Sequence, residues 1–145
     1  MSTCKVECEI KPTDPSAQLG LEIKFNDQTV YHNDWVKDTE TFNYEFNDDD
    51  DAEHQLSWTM TGKTAEHTRI DEQGNIIKDA AILINNVSFD EIELGYTFTQ
   101  LAKYTHNQNG TAEDKVDPFF NYMGCNGTVT LKFTTPFYLW LLEHM

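Results

Sequence analysis

Basic residues are scarce in this chain. Ten Lys and Arg stand against 25 Asp and Glu, a formal charge of −15 over 145 residues. Such a surface repels phosphate backbones and anionic lipid, so no nucleic-acid partner and no membrane insertion is expected; cations and basic protein surfaces suit it better. Proline is sparse too, with four residues, and a composition 39% hydrophobic and 12% aromatic excludes a disordered or low-complexity protein. Cysteine is represented by three residues. Cys4 and Cys8 lie about 13 Å apart along an extended strand, too far to bridge each other, while a link from either to Cys125 is open and unneeded. The N-terminus, MSTCKVECEIKPTD, interleaves charges and lacks a run of seven apolar residues, so it reads as neither secretory signal nor membrane span, and synthesis in the cytoplasm is expected. The sequons at Asn86, Asn109 and Asn126 acquire meaning only on a secretion route.

Catalytic and metal signatures are missing as well. Gly62-Lys63-Thr64 imitates the end of a phosphate-binding loop, but that loop needs a glycine five residues before Gly62, where Ser57 stands. There is no Gly-x-Ser-x-Gly elbow, no Cys-x-x-Cys and no His-x-His, and the five histidines are scattered singly. An enzyme is not expected. The run Asp48-Asp49-Asp50-Asp51 lacks the alternating ligand spacing of a helix-loop-helix calcium site and reads first as a solvated turn; calcium is the one cofactor left open. Asp48 and Asp50, together with Asp71 and Asp79 in other loops, are the candidate ligands.

What is present is alternation. Leu21, Ile23 and Phe25 share one face, as do Phe42, Tyr44 and Phe46, then Leu56, Trp58 and Met60, then Val129, Leu131 and Phe133, with polar residues between them. Cys4, Val6, Cys8 and Ile10 follow the same period. This is the pattern of half-buried antiparallel strands. Between residues 80 and 98, Val87 and Phe89 keep one phase while Ile92, Leu94, Tyr96 and Phe98 keep the other, so a bulge or a break is expected near Asp90. Turn residues fall at 11–20, at Asn26-Asp27-Gln28 and at 71–75. No helix of three turns is expected before residue 100, and LAKYTH suits a helical turn. The expected fold is all-β: one antiparallel, jelly-roll-like sandwich over residues 1–145.

The chain closes on an almost unbroken apolar segment, PFYLWLLEHM. Thr135 suits a helix N-cap with Pro136 at the first helical position, and Phe137, Trp140 and Leu141 follow at i, i+3, i+4; a short helix or a bent final strand both fit. The expectation is that Phe137 and Trp140 plug the chain's own sandwich, leaving Tyr138 and Leu142 as an interface for a protein partner or a second copy.

Three stretches, LEIKFNDQTVYH, HQLSWTMTGKTAEHTRIDEQGNIIKDAAILINNVSFDEIEL at 54–94 and YMGCNGTVTLKFTTPFYLWLLEHM at 122–145, resemble small β-rich proteins encoded by marine tailed phages of cyanobacteria. That resemblance implies a virion component or infection accessory made in the host cytoplasm, working through protein assembly. The layout is also similar to jelly-roll carbohydrate-binding modules, many of which hold a structural calcium, which implies a glycan ligand. For that alternative, Tyr31, Trp35, Tyr104 and Tyr122 are the candidates to stack on sugar rings, because each sits in or beside an expected loop; the competing reading packs each ring beneath its loop.

Overall fold

The computed structural model describes residues 3–49, 51–64, 68–70, 72–74, 76–106 and 113–144. Its strands are β1 (Thr3–Pro12), β2 (Gly20–Phe25), β3 (Gln28–Asn33), β4 (Glu40–Asn47), β5 (Glu53–Thr61), β6 (Thr68–Ile70), β7 (Ile76–Asp79), β8 (Ile82–Phe89), β9 (Ile92–Glu93), β10 (Lys103–His106), β11 (Lys115–Pro118), β12 (Tyr122–Met123) and β13 (Gly127–Thr134). Two short helices complete it, α1 (Tyr96–Leu101) and α2 (Phe137–Glu143). The strands form an antiparallel, jelly-roll-like β-sandwich. One sheet runs β12-β8-β1-β4 with β9 beside β8, the other runs β11-β10-β13-β5-β2-β3, and β6 pairs with β7 in a separate hairpin.

The two-residue period decides which side chains meet. Ile23, Trp58 and Val129 lie in one cross-strand row, Leu56 opposes Leu131, and all are fully buried. Cys4, Val6, Cys8 and Ile10 face them from β1, with Phe42 and Phe46 alongside. Tyr44 is half-buried against this core, where its ring tilts on Phe25 at 5.2 Å. Burial also disfavours the thiolates, pushing Cys8 up to about 12 and Cys4 higher.

The turns follow local chemistry. Asn26 takes a φ of 56° between β2 and β3, a conformation asparagine tolerates well. The phase slip at Asp90 is a break: Asp90 and Glu91 have φ of 50° and 69°, a tight two-residue turn that pairs Phe89 with Ile92.

Three local expectations need correction. The apolar phase from Ile92 to Phe98 does not continue as a strand, because the chain turns at Gly95 (φ 52°) into α1, which buries Phe98 against Trp58 and leaves Tyr96 exposed. LAKYTH adds no helical turn of its own: Leu101 ends α1, and the last four residues are β10, pairing on both sides with β13 and β11, a ladder that outweighs propensity. Thr135 is not the N-cap of the terminal helix. It is buried and donates its N–H to the Ala52 carbonyl at 3.0 Å, while Pro136 occupies the cap position and the Phe137 amide donates to Asp48 Oδ1 at 2.7 Å. Among the described residues no helix is long and apolar enough to cross a membrane.

Candidate functional site

The outer face of the six-stranded sheet is built by the same alternation that fills the core. One cross-strand row reads Lys24, Ser57, Thr130, Lys103; the next reads Glu22, Thr59, Thr128, Thr105; beside them Gln55 opposes Lys132. Hydroxyl, amide, ammonium and carboxylate groups therefore share one surface, and Thr59 and Thr128 hydroxyls meet at 3.0 Å. Two depressions lie in it. The larger, about 540 Å³, has Asn26, Glu53, Gln55, Lys132 and Thr134 around the edges of Phe133 and Trp140. The second, about 470 Å³, is lined by Gln55, Lys103, Thr105, Thr130 and Lys132 with Leu101 and Val116. They share Gln55 and Lys132, so they adjoin at that pair, and together they are called the groove below.

The end of this groove is braced from the β2–β3 turn. Asn26 Oδ1 accepts the Gln55 N–H at 3.0 Å, the Asn26 N–H donates to the Gln55 carbonyl at 2.7 Å, and the Asn26 amide nitrogen lies 3.2 Å from His54 Nδ1. Trp140 supplies the wall there, held by Phe133 and Phe137.

The four aromatic candidates are placed elsewhere, and only Tyr104 and Tyr122 come near each other. Tyr104 is buried, its hydroxyl donating to the Cys125 carbonyl and accepting the Cys125 N–H, and burial raises its phenol to about 12. Tyr31 is half-buried and donates to Glu40, which also accepts from Asn33 at 3.1 Å; desolvation and that carboxylate raise Tyr31 to about 12. Trp35 is half-buried, with its indole N–H on the Pro15 carbonyl at 3.0 Å and Lys37 Nζ 4.1 Å above its ring, so its open face is already occupied by a cation. Tyr122 is the exposed member, lying over Gly124, where a Cβ would come within 2.8 Å of the ring.

Tyr122 does meet one of the metal candidates. Its hydroxyl donates to Asp79 Oδ2 at 2.7 Å, and Lys63 Nζ holds Asp79 Oδ1 at 2.5 Å while also donating to the Ala80 carbonyl. Both Asp79 oxygens are thus engaged, one by a buried ammonium. Asp48 serves as the cap of α2. Asp50 and Asp71 lie outside the described residues. Among the described residues no group of three or more His, Cys, Asp or Glu is arranged to hold a metal ion. At the terminal helix Phe137, Trp140 and Leu141 are buried, and Tyr138, Leu139 and Leu142 are exposed at 59%, 57% and 53%.

Sequence reasoning missed the groove. Lys132 is recognisable as a polar residue between Leu131 and Phe133, but Lys103 falls in a stretch read as helical, and no local signal says that Gln55 stands opposite Lys132.

No family model and no curated protein sequence matches the chain. It is similar to solved structures of vCBM60, a module from one of two families of calcium-dependent carbohydrate-binding modules linked by circular permutation. The selenomethionine form shares 9% identity over 88% of this chain and 89% of that one, with a TM-score of 0.48. The complex of vCBM60 with galactobiose shares 11% identity over 88% and 96%, with a TM-score of 0.47. Likeness this distant carries no residue, metal or ligand over to this chain.

Proposed function

We propose that this chain is a non-catalytic binding module that takes a glycan along the outer face of its six-stranded sheet. The observation that carries the reading is the groove of two adjoining depressions of ligand size, rich in hydroxyl and amide groups over apolar ground, built on strands. Sugar hydroxyls both donate and accept, and Gln55, Thr105, Thr130 and Asn26 offer both functions, while Leu101, Val116 and the edge of Trp140 suit the C–H faces of a ring.

Affinity electrophoresis in gels containing a panel of soluble polysaccharides tests this. Retardation by at least one polymer, weakened about tenfold by Gln55→Ala with Thr130→Ala, is the expected result; no retardation by any polymer counts against the reading. The same gels run with calcium or chelator test a calcium requirement, and unchanged mobility and melting midpoint at millimolar calcium would retire it.

A second reading, assembly through protein contacts, has its own observation in the exposed Tyr138, Leu139 and Leu142 of α2. Light scattering over a hundredfold concentration range decides it. A monomer throughout removes it, and a dimer that dissociates on Leu142→Asp supports it.

A further inference from the structure

In a chain with two and a half times as many acids as bases, four of the nine lysines have an acidic or aromatic partner among the described residues. Lys5 pairs with Glu7 at 2.8 Å, Lys24 with Glu22 at 3.6 Å, Lys63 with Asp79, and Lys37 covers Trp35. Lys103 and Lys132 are outside this set, as are Lys11 and Lys115. Lys103 and Lys132 are exposed, and among the described residues neither makes an ion pair.

Their relation follows from register. Lys103 stands opposite Thr130 on β13, and Lys132 is two residues further along that strand on the same face, so the two are diagonal neighbours with Cα atoms about 7–8 Å apart. Both line the 470 Å³ depression, and no carboxylate lines it with them. The one acid in the adjoining depression, Glu53, stands opposite Thr134, two pairs beyond Lys132 on the same face, and is thus a diagonal neighbour of Lys132 on its other side. Two ammonium groups on one face without an acid between them repel each other, and a ligand anion placed between them relieves that repulsion. At physiological salt the Debye length is about 8 Å, so this local pair with Glu53 beside it, two positive charges against one negative, and not the distant sum of −15, sets the potential inside the groove.

We infer that the groove is selective for acidic glycans, with Lys103 and Lys132 together seating a sugar carboxylate or sulfate while the hydroxyl and amide side chains beside them hold the ring. This rests on the glycan reading above and names its ligand class. The sparse charge of the groove favours such a polymer over nucleic acid. Two lysines neutralise one or two anionic groups, whereas the close-set phosphates of a nucleic acid extend past the groove and meet the negative remainder of the surface.

The test is affinity electrophoresis and calorimetry of the full chain with polygalacturonate, dextran sulfate, uncharged galactan and a single-stranded DNA, for wild type, K103Q, K132Q, the double variant and K5Q on the other sheet. The expected result is tighter binding of polygalacturonate or dextran sulfate than of galactan. That preference should fall about tenfold or more in the double variant, shrink as salt rises, and persist in K5Q, with all melting midpoints unchanged. Polygalacturonate and dextran sulfate tell carboxylate from sulfate recognition. Binding of galactan as tight as that of both acidic polymers, or a double variant that keeps the preference, overturns this inference and leaves the glycan reading standing. DNA bound in place of the acidic polymers, with the same loss in the double variant, overturns the glycan assignment of the lysines, and a wild type that binds none of the polymers overturns both.

Discussion

The two ends of the sandwich are closed by opposite means. β5 and β13 run side by side from the Glu53–Thr134 pair to the Met60–Gly127 pair, and a different structure sits over each end. Past Thr134, α2 folds back as an apolar plug: Phe137 stacks on Phe89 at 4.0 Å and meets Phe133 edge-on, and Trp140 packs beside them. Past Met60 the closure is polar. Lys63 is buried with its ammonium on Asp79 and Ala80, its N–H on Asn126 Oδ1 at 2.8 Å and its carbonyl on Asn126 Nδ2 at 3.0 Å. Tyr122 and Tyr104 extend the network through Asp79 and Cys125. An apolar plug is held by area and shape and tolerates small shifts, whereas a buried network needs every partner, since each polar group left alone carries its full desolvation cost.

The contrast can be broken at each end. Trp140→Ala should be the most damaging change, costing about 3–5 kcal/mol as truncation of a buried aromatic does. The loss, read by urea unfolding, should be equal at all protein concentrations if the helix caps its own core; a variant as stable as the wild type would sink the plug. Lys63→Met should come next, at about 2–3 kcal/mol, because it strands the Asp79 carboxylate. The figure sits below the range for fully buried pairs because the Asp79 side chain is 20% exposed. A methionine variant more stable than wild type would mean that the network serves specificity and not stability.

Alkaline titration separates the ends without mutation. Desolvation raises Tyr104 to about 12 and raises Tyr122 as well, Asp79 adding to the latter. A phenol ionises near 10 in the unfolded chain, so its contribution is complete below pH 10 and is lost as pH rises toward 12. Tyrosinate absorbance and unfolding should therefore advance together over that window, and Tyr104→Phe should weaken the dependence; stability that is flat to pH 12 contradicts it. The smallest effect is expected from Asp48→Ala, about 0.5–2 kcal/mol for loss of a helix cap. Calorimetric melting reads it, and an unchanged midpoint would show that the Phe137 amide is served as well by water.

The apolar end was legible because burial leaves a compositional trace. Phe137, Trp140 and Leu141 at helical spacing pointed to one buried face, and Tyr138 and Leu142 fell on the other, as the structure has them. The polar end left none. Lys63 sits in a Gly-Lys-Thr stretch that imitates a phosphate loop, and nothing local couples it to Asp79, 16 residues on, or to Asn126, 63 residues on. The surroundings of the aromatic candidates were illegible for a related reason: position beside a loop does not say which way a ring turns, and Tyr104 turned inward while Lys37 settled over Trp35 and Tyr122 stayed exposed.

By itself the sequence determined the class of the fold, through a two-residue period that holds in any all-β arrangement because successive side chains must leave a strand on opposite faces. Tertiary structure alone decided which strands became neighbours, and with them the groove. Cross-strand pairing sets Lys103, Thr130, Lys132 and Gln55 together from three separate segments, and that register comes from the packing of the whole inner face, where a slip of one residue would turn every buried side chain outward.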